Sequence, residues 1–177
     1  MYRKCTTEIS VQHQRQVEET LLDLMEKMPF EDISVIQLCR ASGITRRVFY
    51  HLFSNKTGAL WALIDHKILA FESFRLELAN DILRFFYYWQ EQKRLLDVLL
   101  DNQLSGVLLE RLITIAIHED YDLKYWLKGL GWSATKELLI YHLTGTMGLV
   151  YNWYQSGFAK TPEEMAALME KITEKTI

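Results

Sequence analysis

The sequence contains little that would build disulfide frameworks, metal sites or sheets. Its 177 residues include only 2 cysteines, 2 prolines and 8 glycines. Cys5 and Cys39 lie far apart and have no CxxC or Cys/His spacing, so neither a disulfide framework nor a zinc site is predicted. No stretch sustains the alternation of Val, Ile or Thr with polar residues that indicates a β-strand. We therefore expect an all-α protein from a reducing compartment.

Targeting segments and membrane segments are also missing from the sequence. Residues 1–10 contain no apolar core of a signal peptide. No run of about 18 apolar residues would cross a bilayer. The expected location is therefore the cytoplasm, without membrane association.

Catalytic motifs are absent as well. The sequence has no GxSxG, GxGxxG or phosphate-binding loop motif. His118-Glu119-Asp120 and Asp65-His66 are runs of neighbours, and neighbouring residues on a helix point in different directions. Solvated or capping roles explain them better than metal binding does. From the sequence we therefore expect that the protein is not an enzyme and binds no cofactor or metal.

Positive charge is concentrated in one window of an otherwise acidic chain. Residues 33–64 include no Asp or Glu, while Arg40, Arg46, Arg47 and Lys56 give this window a charge of +4. Since the whole chain carries −3, the remainder carries −7. A local basic cluster suits contact with phosphates, and a chance cluster on a solvated face is the alternative.

Helix-forming patterns precede and open this basic window. Apolar residues between Val17 and Met28 recur on one face of a first helix, which Pro29 ends. Ser34 and Gln37 have the spacing of a capping box, in which each side chain bonds to the other residue's backbone N–H. We expect a second, short helix at about residues 35–41.

A glycine turn separates that helix from a third one. Ser42-Gly43-Ile44 interrupts the second helix, and Thr45 can cap a third helix that runs to about residue 53. Apolar residues form its buried side. The outward residues are Thr45, Arg46, Arg47, Tyr50 and His51. Two short helices around a glycine turn are typical of a helix-turn-helix, and Asn55 can cap a fourth helix after it.

The remainder of the chain shows further helical patterns without a linker. We expect helices at about residues 76–89, 94–100, 106–118, 123–128, 134–156 and 162–176. Thr161-Pro162-Glu163-Glu164 is the clearest helix start, because these residue types are favoured at the cap and in the first turn. The predicted domains are a helix-turn-helix DNA-binding domain at residues 1–54 and a helical regulatory and dimerisation domain at residues 55–177.

The stretch from Ser34 to Leu60, SVIQLCRASGITRRVFYHLFSNKTGAL, resembles the DNA-binding signature of the TetR family of transcription regulators. Gly43, Phe49-Tyr50, Phe53 and Lys56 occur together in the family's order. The resemblance implies a three-helix DNA-binding head on a C-terminal helical bundle. It also implies that the helix after Thr45 enters the major groove and that Ser34, Tyr50 and Lys56 meet phosphates.

The side-chain chemistry leads to an overlapping set of DNA-binding residues. An arginine can bond guanine through two parallel hydrogen bonds, and a tyrosine hydroxyl can donate to a phosphate. We expect Arg46 and Arg47 to contact bases or phosphates. The full predicted set is Ser34, Thr45, Arg46, Arg47, Tyr50, His51 and Lys56.

The signature also departs from the family pattern at three places. Arg47 stands where a small residue is usual, Leu52 where His or Tyr is frequent, and Thr57-Gly58 where acidic residues are usual. Arg47 changes what reaches the groove. Gly58 weakens the start of the fourth helix, because glycine costs about 1 kcal/mol against alanine in a helix. This glycine either makes the start of the helix flexible or has no effect on it.

The helical body carries two further candidate sites. In the resembling family an effector pocket often lies inside the body, and plain core packing is the alternative for the aromatic run at residues 85–89. The candidate ligand-binding residues are Phe86, Tyr87, Trp126, Tyr141, His142 and Met147. Gly145 and Gly148 would let another helix come close, either from the same chain or from a second subunit in a four-helix bundle. The candidate dimer-interface residues are Leu138, His142, Gly145, Leu149, Trp153, Met165, Leu168, Met169 and Ile172.

Together these features predict a sequence-specific transcription regulator that binds double-stranded DNA as a homodimer. We expect a repressor that binds a palindromic operator and is released by a small apolar effector. The main alternative is a helical protein-interaction module whose helix-turn-helix is only structural. A further alternative is a small-molecule binder or enzyme that uses the aromatic residues of the body.

Overall fold

A computed structural model describes residues 1–3, 5–78, 80–118 and 135–174 of the chain. Within these ranges nine α-helices occur, and an isolated bridge between Tyr2 and Phe53 is the only β-type pairing. The helices are α1 (Glu8–Met25), α2 (Val35–Ala41), α3 (Arg46–Leu52), α4 (Lys56–Ala70), α5 (Asp81–Glu91), α6 (Lys93–Asp101), α7 (Ser105–His118), α8 (Lys136–Gln155) and α9 (Pro162–Glu174). Two short 3₁₀ turns occupy Phe30–Asp32 and Phe71–Ser73. The predicted all-α class is confirmed; the helix expected at residues 123–128 lies outside the described ranges.

The chain divides into two compact units. The first comprises Met1–Ile68 and Asp97–Leu108, and the second comprises Leu69–Leu96 and Leu109–Ile177. The compact unit that contains the predicted DNA-binding domain therefore extends beyond residue 54. The functional division predicted at residues 54 and 55 stays a prediction.

The first unit is built around α1, α2 and α3. Val17 and Leu21 on α1, Leu38 on α2 and Phe49 on α3 are fully buried, as the apolar repeat on each helix predicts. Side chains cap the start of each helix: Thr7 accepts from the Ser10 amide, Ser34 forms the predicted capping box with Gln37, and Thr45 accepts from the Val48 amide. The predicted starts of α2 and α3 are confirmed.

Helix α4 contacts α1 through polar pairs. The predicted cap is present, since Asn55 Oδ1 accepts from the Gly58 amide at 2.9 Å. Glu18 on α1 is 2% exposed, and His66 on α4 donates to its carboxylate through Nδ1 at 2.7 Å. The adjacent Asp65, also buried, accepts from the Tyr2 hydroxyl at 2.8 Å. His66 and Tyr2 thus each bond to an oxygen of a buried carboxylate, which lowers the cost of burying it. The other oxygen of Glu18, Oε1, is buried without a hydrogen-bond partner among the described residues.

The later segment of the first unit closes the end of α1. The Phe30 amide donates to the side-chain carbonyl of Asn102. The side-chain amide of Asn102 donates to the carbonyls of Val98 at 2.8 Å and of Met25 at 3.4 Å. One asparagine therefore satisfies backbone groups at the place where α1 ends and the connection to α2 begins.

The second unit has an aromatic core formed by α5, α8 and α9. Phe86 on α5 and Trp153 on α8 are buried, and their rings meet edge to face with centroids 5.6 Å apart. The Trp153 indole donates to the Lys160 carbonyl at 2.8 Å. The predicted start of α9 is confirmed, because Thr161 and Glu164 bond reciprocally to each other's backbone amides.

The expectation that a helix begins near Leu76 is wrong. The chain turns at Arg75, which has a positive φ of 42°, and Leu78 donates to the Arg75 carbonyl. Helix α5 begins at Asp81, because Asn80 caps it by accepting from the Leu83 amide at 3.0 Å. The side-chain cap of Asn80 thus prevails over the apolar pattern that precedes it.

Candidate nucleic-acid interface

Helix α3 has one buried side and one exposed side. Phe49 and Leu52 face the core of the first unit with 0% and 2% exposure, respectively. The exposed residues are Arg46, Arg47, Tyr50 and His51. The helix is therefore anchored by apolar side chains and presents cationic and aromatic groups outward, which is the arrangement that a groove-reading helix needs.

The turn before α3 explains why glycine occupies position 43. Gly43 has a φ of +66°, a left-handed conformation that strains other L residues. The Ile44 amide bonds back to the Cys39 carbonyl at 3.1 Å, and the Gly43 amide approaches the Arg40 carbonyl at 3.4 Å. This pair of bonds is the Schellman motif that ends a helix. It reverses the chain tightly, so that α3 starts directly after α2.

The outward groups of α3 support one another. The Arg46 guanidinium lies over the Tyr50 ring, 5.9 Å from the ring centroid, at the outer limit of a cation–π contact.

Cys39 lies on the buried side of α2. Burial raises the pKa of its thiol, and the positive charge of Arg46 opposes this shift. Cys39 is therefore a protonated, buried side chain that packs between helices, while Arg46 remains outside.

Ser34 and Lys56, two of the predicted phosphate-binding residues, already have partners within the chain. The Ser34 hydroxyl oxygen accepts from the Gln37 amide at 3.1 Å, and the residue is exposed. The Lys56 ammonium donates to the carbonyls of Phe30 and Glu31, both at 2.7 Å, and lies 4.6 Å from the centroid of the Phe30 ring. Lys56 thus ties the start of α4 to the connection between α1 and α2. Its role in binding phosphate stays a prediction.

An open cleft lies between the start of α1 and the exposed side of α3. Its volume is about 700 Å³. Its lining residues are Thr7, Ile9, Ser10, His13, Arg47, Val48, Tyr50, His51 and Leu52. Hydroxyl, imidazole and guanidinium groups from two helices therefore line one concave surface, which extends the exposed side of α3 toward α1.

The segment Met1–Arg3, here called the N-terminal strap, lies against the junction of α3 and α4. The Arg3 amide donates to the Leu52 carbonyl at 2.9 Å, and the Met1 carbonyl accepts from the Ser54 amide at 3.1 Å and the Ser54 hydroxyl at 2.7 Å. The Tyr2 hydroxyl bonds to Asp65. The strap thus satisfies the Leu52 carbonyl, which the last turn of α3 leaves without a helical partner.

Gly58 makes room for this strap. A Cβ atom at position 58 would lie 2.5 Å from the Met1 carbonyl oxygen, well inside van der Waals contact. The departure from the family pattern at this position therefore has a packing reason. The sequence could not show it, because the contact joins residues at the two ends of a stretch of more than 50 residues.

The predicted ligand-binding residues do not share one environment. Phe86 and Met147 are buried, whereas Tyr141 is 66% exposed. The Tyr87 hydroxyl donates to the Glu163 carboxylate at the surface. His142 is half-buried, and desolvation lowers the pKa of its imidazole. Trp126 lies outside the described residues.

The predicted dimer-interface residues fall into two groups. Trp153, Met165 and Met169 are buried within the second unit, and His142 and Leu149 are half-buried. The exposed members are Leu138, Gly145, Leu168 and Ile172. Among the residues that the structure describes, none has an atom within 4 Å of a Cβ atom added at Gly145 or Gly148. The described residues therefore leave space beside these two glycines of α8.

Comparison with solved structures shows a likeness in fold. A crystal structure of a proposed TetR-family transcriptional regulator from Syntrophomonas wolfei strain Goettingen matches with a TM-score of 0.52. The match covers 94% of this chain and 95% of that chain, at 16% sequence identity. No protein-family model and no curated protein matches the sequence. The likeness shows that this chain has a TetR-like fold.

Proposed function

We propose that this chain is a sequence-specific transcription regulator that binds double-stranded DNA through α3. The observation that carries the proposal is the exposed side of α3, where Arg46, Arg47, Tyr50 and His51 are held by a helix buried through Phe49 and Leu52. Arginine and tyrosine are suited to base edges and phosphates. The neighbour of like fold is itself described as a proposed transcriptional regulator, which agrees with the proposal.

The proposal includes a homodimer formed through α8 and α9. Leu138 and Tyr141 on α8 are 40% and 66% exposed, and Leu168 and Ile172 on α9 are 37% and 42% exposed. The space that the described residues leave beside Gly145 and Gly148 would admit a helix from a second subunit. A two-fold dimer would present two α3 helices to a palindromic operator. This is the arrangement that the predicted interface residues support.

Repression in the cytoplasm and release by a small apolar effector complete the proposal. They rest on the resemblance of residues 34–60 to the TetR family. A ligand can release DNA only if it binds the form with low DNA affinity more tightly. The checks are reporter expression with and without the protein, and a thermal-shift screen of apolar compounds whose hits are tested for release of DNA.

Two experiments with the purified protein test DNA binding. Selection from genomic DNA identifies a binding site, and fluorescence anisotropy then measures the affinity for that site. Arg47→Ala and Tyr50→Ala should each weaken binding to the selected site by about 1–3 kcal/mol. Lys160→Ala in the second unit, which removes the same charge as Arg47→Ala, should bind as wild type does. Equal affinity of wild type and the Arg47→Ala/Tyr50→Ala variant would refute the assignment. An intact dimer that selects no site would favour the protein-interaction alternative.

A further inference from the structure

The N-terminal strap carries a charged group to the exposed side of α3. The Arg3 amide is bonded to Leu52, the last residue of α3, and Arg3 Nη1 lies 3.3 Å from His51 Nε2. Because an arginine can only donate, His51 accepts through Nε2 in this contact. Arg3 is exposed and its guanidinium has further N–H donors. The strap therefore adds a positive charge beside the cleft that His51 and Arg47 line.

We propose that the N-terminal strap is part of the DNA-binding surface and that Arg3 contacts a phosphate of the DNA backbone. The inference rests on the proposed function and adds a residue from outside the helix-turn-helix. In helix-turn-helix proteins the first residues of the reading helix contact base edges. Arg3 lies beside the last turn of α3, so a backbone phosphate is the expected partner there.

The way the strap is held explains why a terminal segment contributes to binding. The strap is fixed before DNA binds. It forms two main-chain hydrogen bonds, a bond from the Ser54 hydroxyl to the Met1 carbonyl and the bond between Tyr2 and Asp65. A strap that is already ordered does not lose its conformational freedom on binding. Gly58 allows this docking, since any larger residue would meet the Met1 carbonyl. Arg3 and Gly58 thus act on the same contact, one as the ligand of the phosphate and the other as a positioning residue.

The test compares Arg3→Ala, Arg3→Lys, Gly58→Ala and Arg3→Ala/Gly58→Ala in the full chain, with Lys160→Ala as the charge-matched control. Arg3→Ala should weaken binding about tenfold, as expected for one charge-assisted hydrogen bond. The same factor should apply to the selected site and to an unrelated duplex, and the salt slope should fall by about 1. Arg3→Lys should keep the wild-type salt slope.

Gly58→Ala should weaken binding by a similar factor because it displaces the strap, and the double variant should bind no more weakly than either single one. Hydrogen exchange gives an independent readout. The Ser54 amide, which is bonded to Met1, should exchange faster in Gly58→Ala and at the wild-type rate in Arg3→Ala. This pattern would show that one substitution releases the strap and the other removes its charge.

These measurements distinguish failure of the inference about Arg3 from failure of the proposed function. If Arg3→Ala binds as wild type does while Arg47→Ala binds weakly, the inference is overturned and the proposed function stands. A loss confined to the selected site would mean that Arg3 reads bases, which overturns the phosphate assignment. Unchanged affinity in Gly58→Ala despite fast exchange at Ser54 overturns the role of docking. If the wild-type protein binds neither duplex, the proposed function and the inference both fail.

Discussion

Replacing Lys56 with methionine separates its structural contacts from its predicted contact with DNA. Methionine keeps an unbranched apolar stem, with sulfur in place of the δ-methylene, and lacks the ammonium group. In the structure this group donates to the carbonyls of Phe30 and Glu31 at 2.7 Å, and the Lys56 side chain is 21% exposed. The substitution therefore removes one donor from each of these carbonyls, of which that of Phe30 still accepts from the Ile33 amide at 3.2 Å, and it removes the cation from the Phe30 ring.

The expected loss follows from these contacts. A hydrogen bond to a charged group contributes about 1.5–3 kcal/mol when buried, and an exposed cation–π contact about 0.5–1 kcal/mol. Water can reach part of this site and replace some of the lost bonding, so we expect a net loss of about 2 kcal/mol. For a chain of this size, that lowers the melting temperature by roughly 4–8 °C.

Urea unfolding followed by circular dichroism measures this loss, and Lys67→Met on the same helix is the control. The Lys67 ammonium pairs with Glu19 at 3.5 Å on the surface, and such pairs contribute less than about 1 kcal/mol. DNA binding over a range of salt concentrations is measured on the same proteins. An unfolding midpoint that does not move in Lys56→Met, together with a salt slope reduced by about 1, would refute the structural role and support the phosphate contact.

Three further predictions concern other parts of the chain. Gly43→Ala should lower the free energy of unfolding by about 1 kcal/mol, measured in urea, because its φ is +66°; unchanged stability would contradict the strained turn. Gly145→Leu should abolish the proposed dimer in sedimentation velocity without changing the unfolding midpoint of the monomer, since no described residue lies within 4 Å of an added Cβ; a persisting dimer would place the interface elsewhere. Tyr87→Phe should raise the pKa of Glu163, followed by NMR, because the Tyr87 hydroxyl is the main cause of its lowered value. The Glu163 contact therefore stabilises the folded protein above the ordinary carboxyl pKa, and this stabilisation is lost as pH falls through the lowered pKa. The same Glu163 pKa in wild type and in Tyr87→Phe would contradict this contact.

Features that depend on a few consecutive residues were predictable from the sequence. The capping box of Ser34 and Gln37, the turn at Gly43 and the cap at Thr45 each involve residues no more than five positions apart. Local hydrogen bonding and φ preference decide such features, and both follow from residue type. The exposed side of α3 could be predicted for the same reason.

Features that depend on distant backbone groups could not be predicted. Lys56 bonds to carbonyls at positions 30 and 31, and any residue type can supply a carbonyl. The fit of Gly58 against Met1 is also a backbone contact. The sequence therefore indicates neither the structural contacts of Lys56 nor the packing reason for Gly58, and the predicted phosphate contact of Lys56 stays a prediction.

The discontinuous make-up of the first unit has a consequence for how the protein is made. Asn102, which bonds to the backbone at Met25 and Phe30, belongs to the segment Asp97–Leu108, which follows 28 residues of the second unit in the chain. A ribosome that adds about 5–20 residues per second needs roughly 2–8 s to proceed from residue 69 to residue 108. During that interval the nascent N-terminal part lacks its last segment and exposes apolar surface to chaperones. A gene fragment that stops at residue 68 would leave the same gap permanently, so a fragment intended to contain the whole first unit needs residues 97–108, either in the chain or as an added peptide.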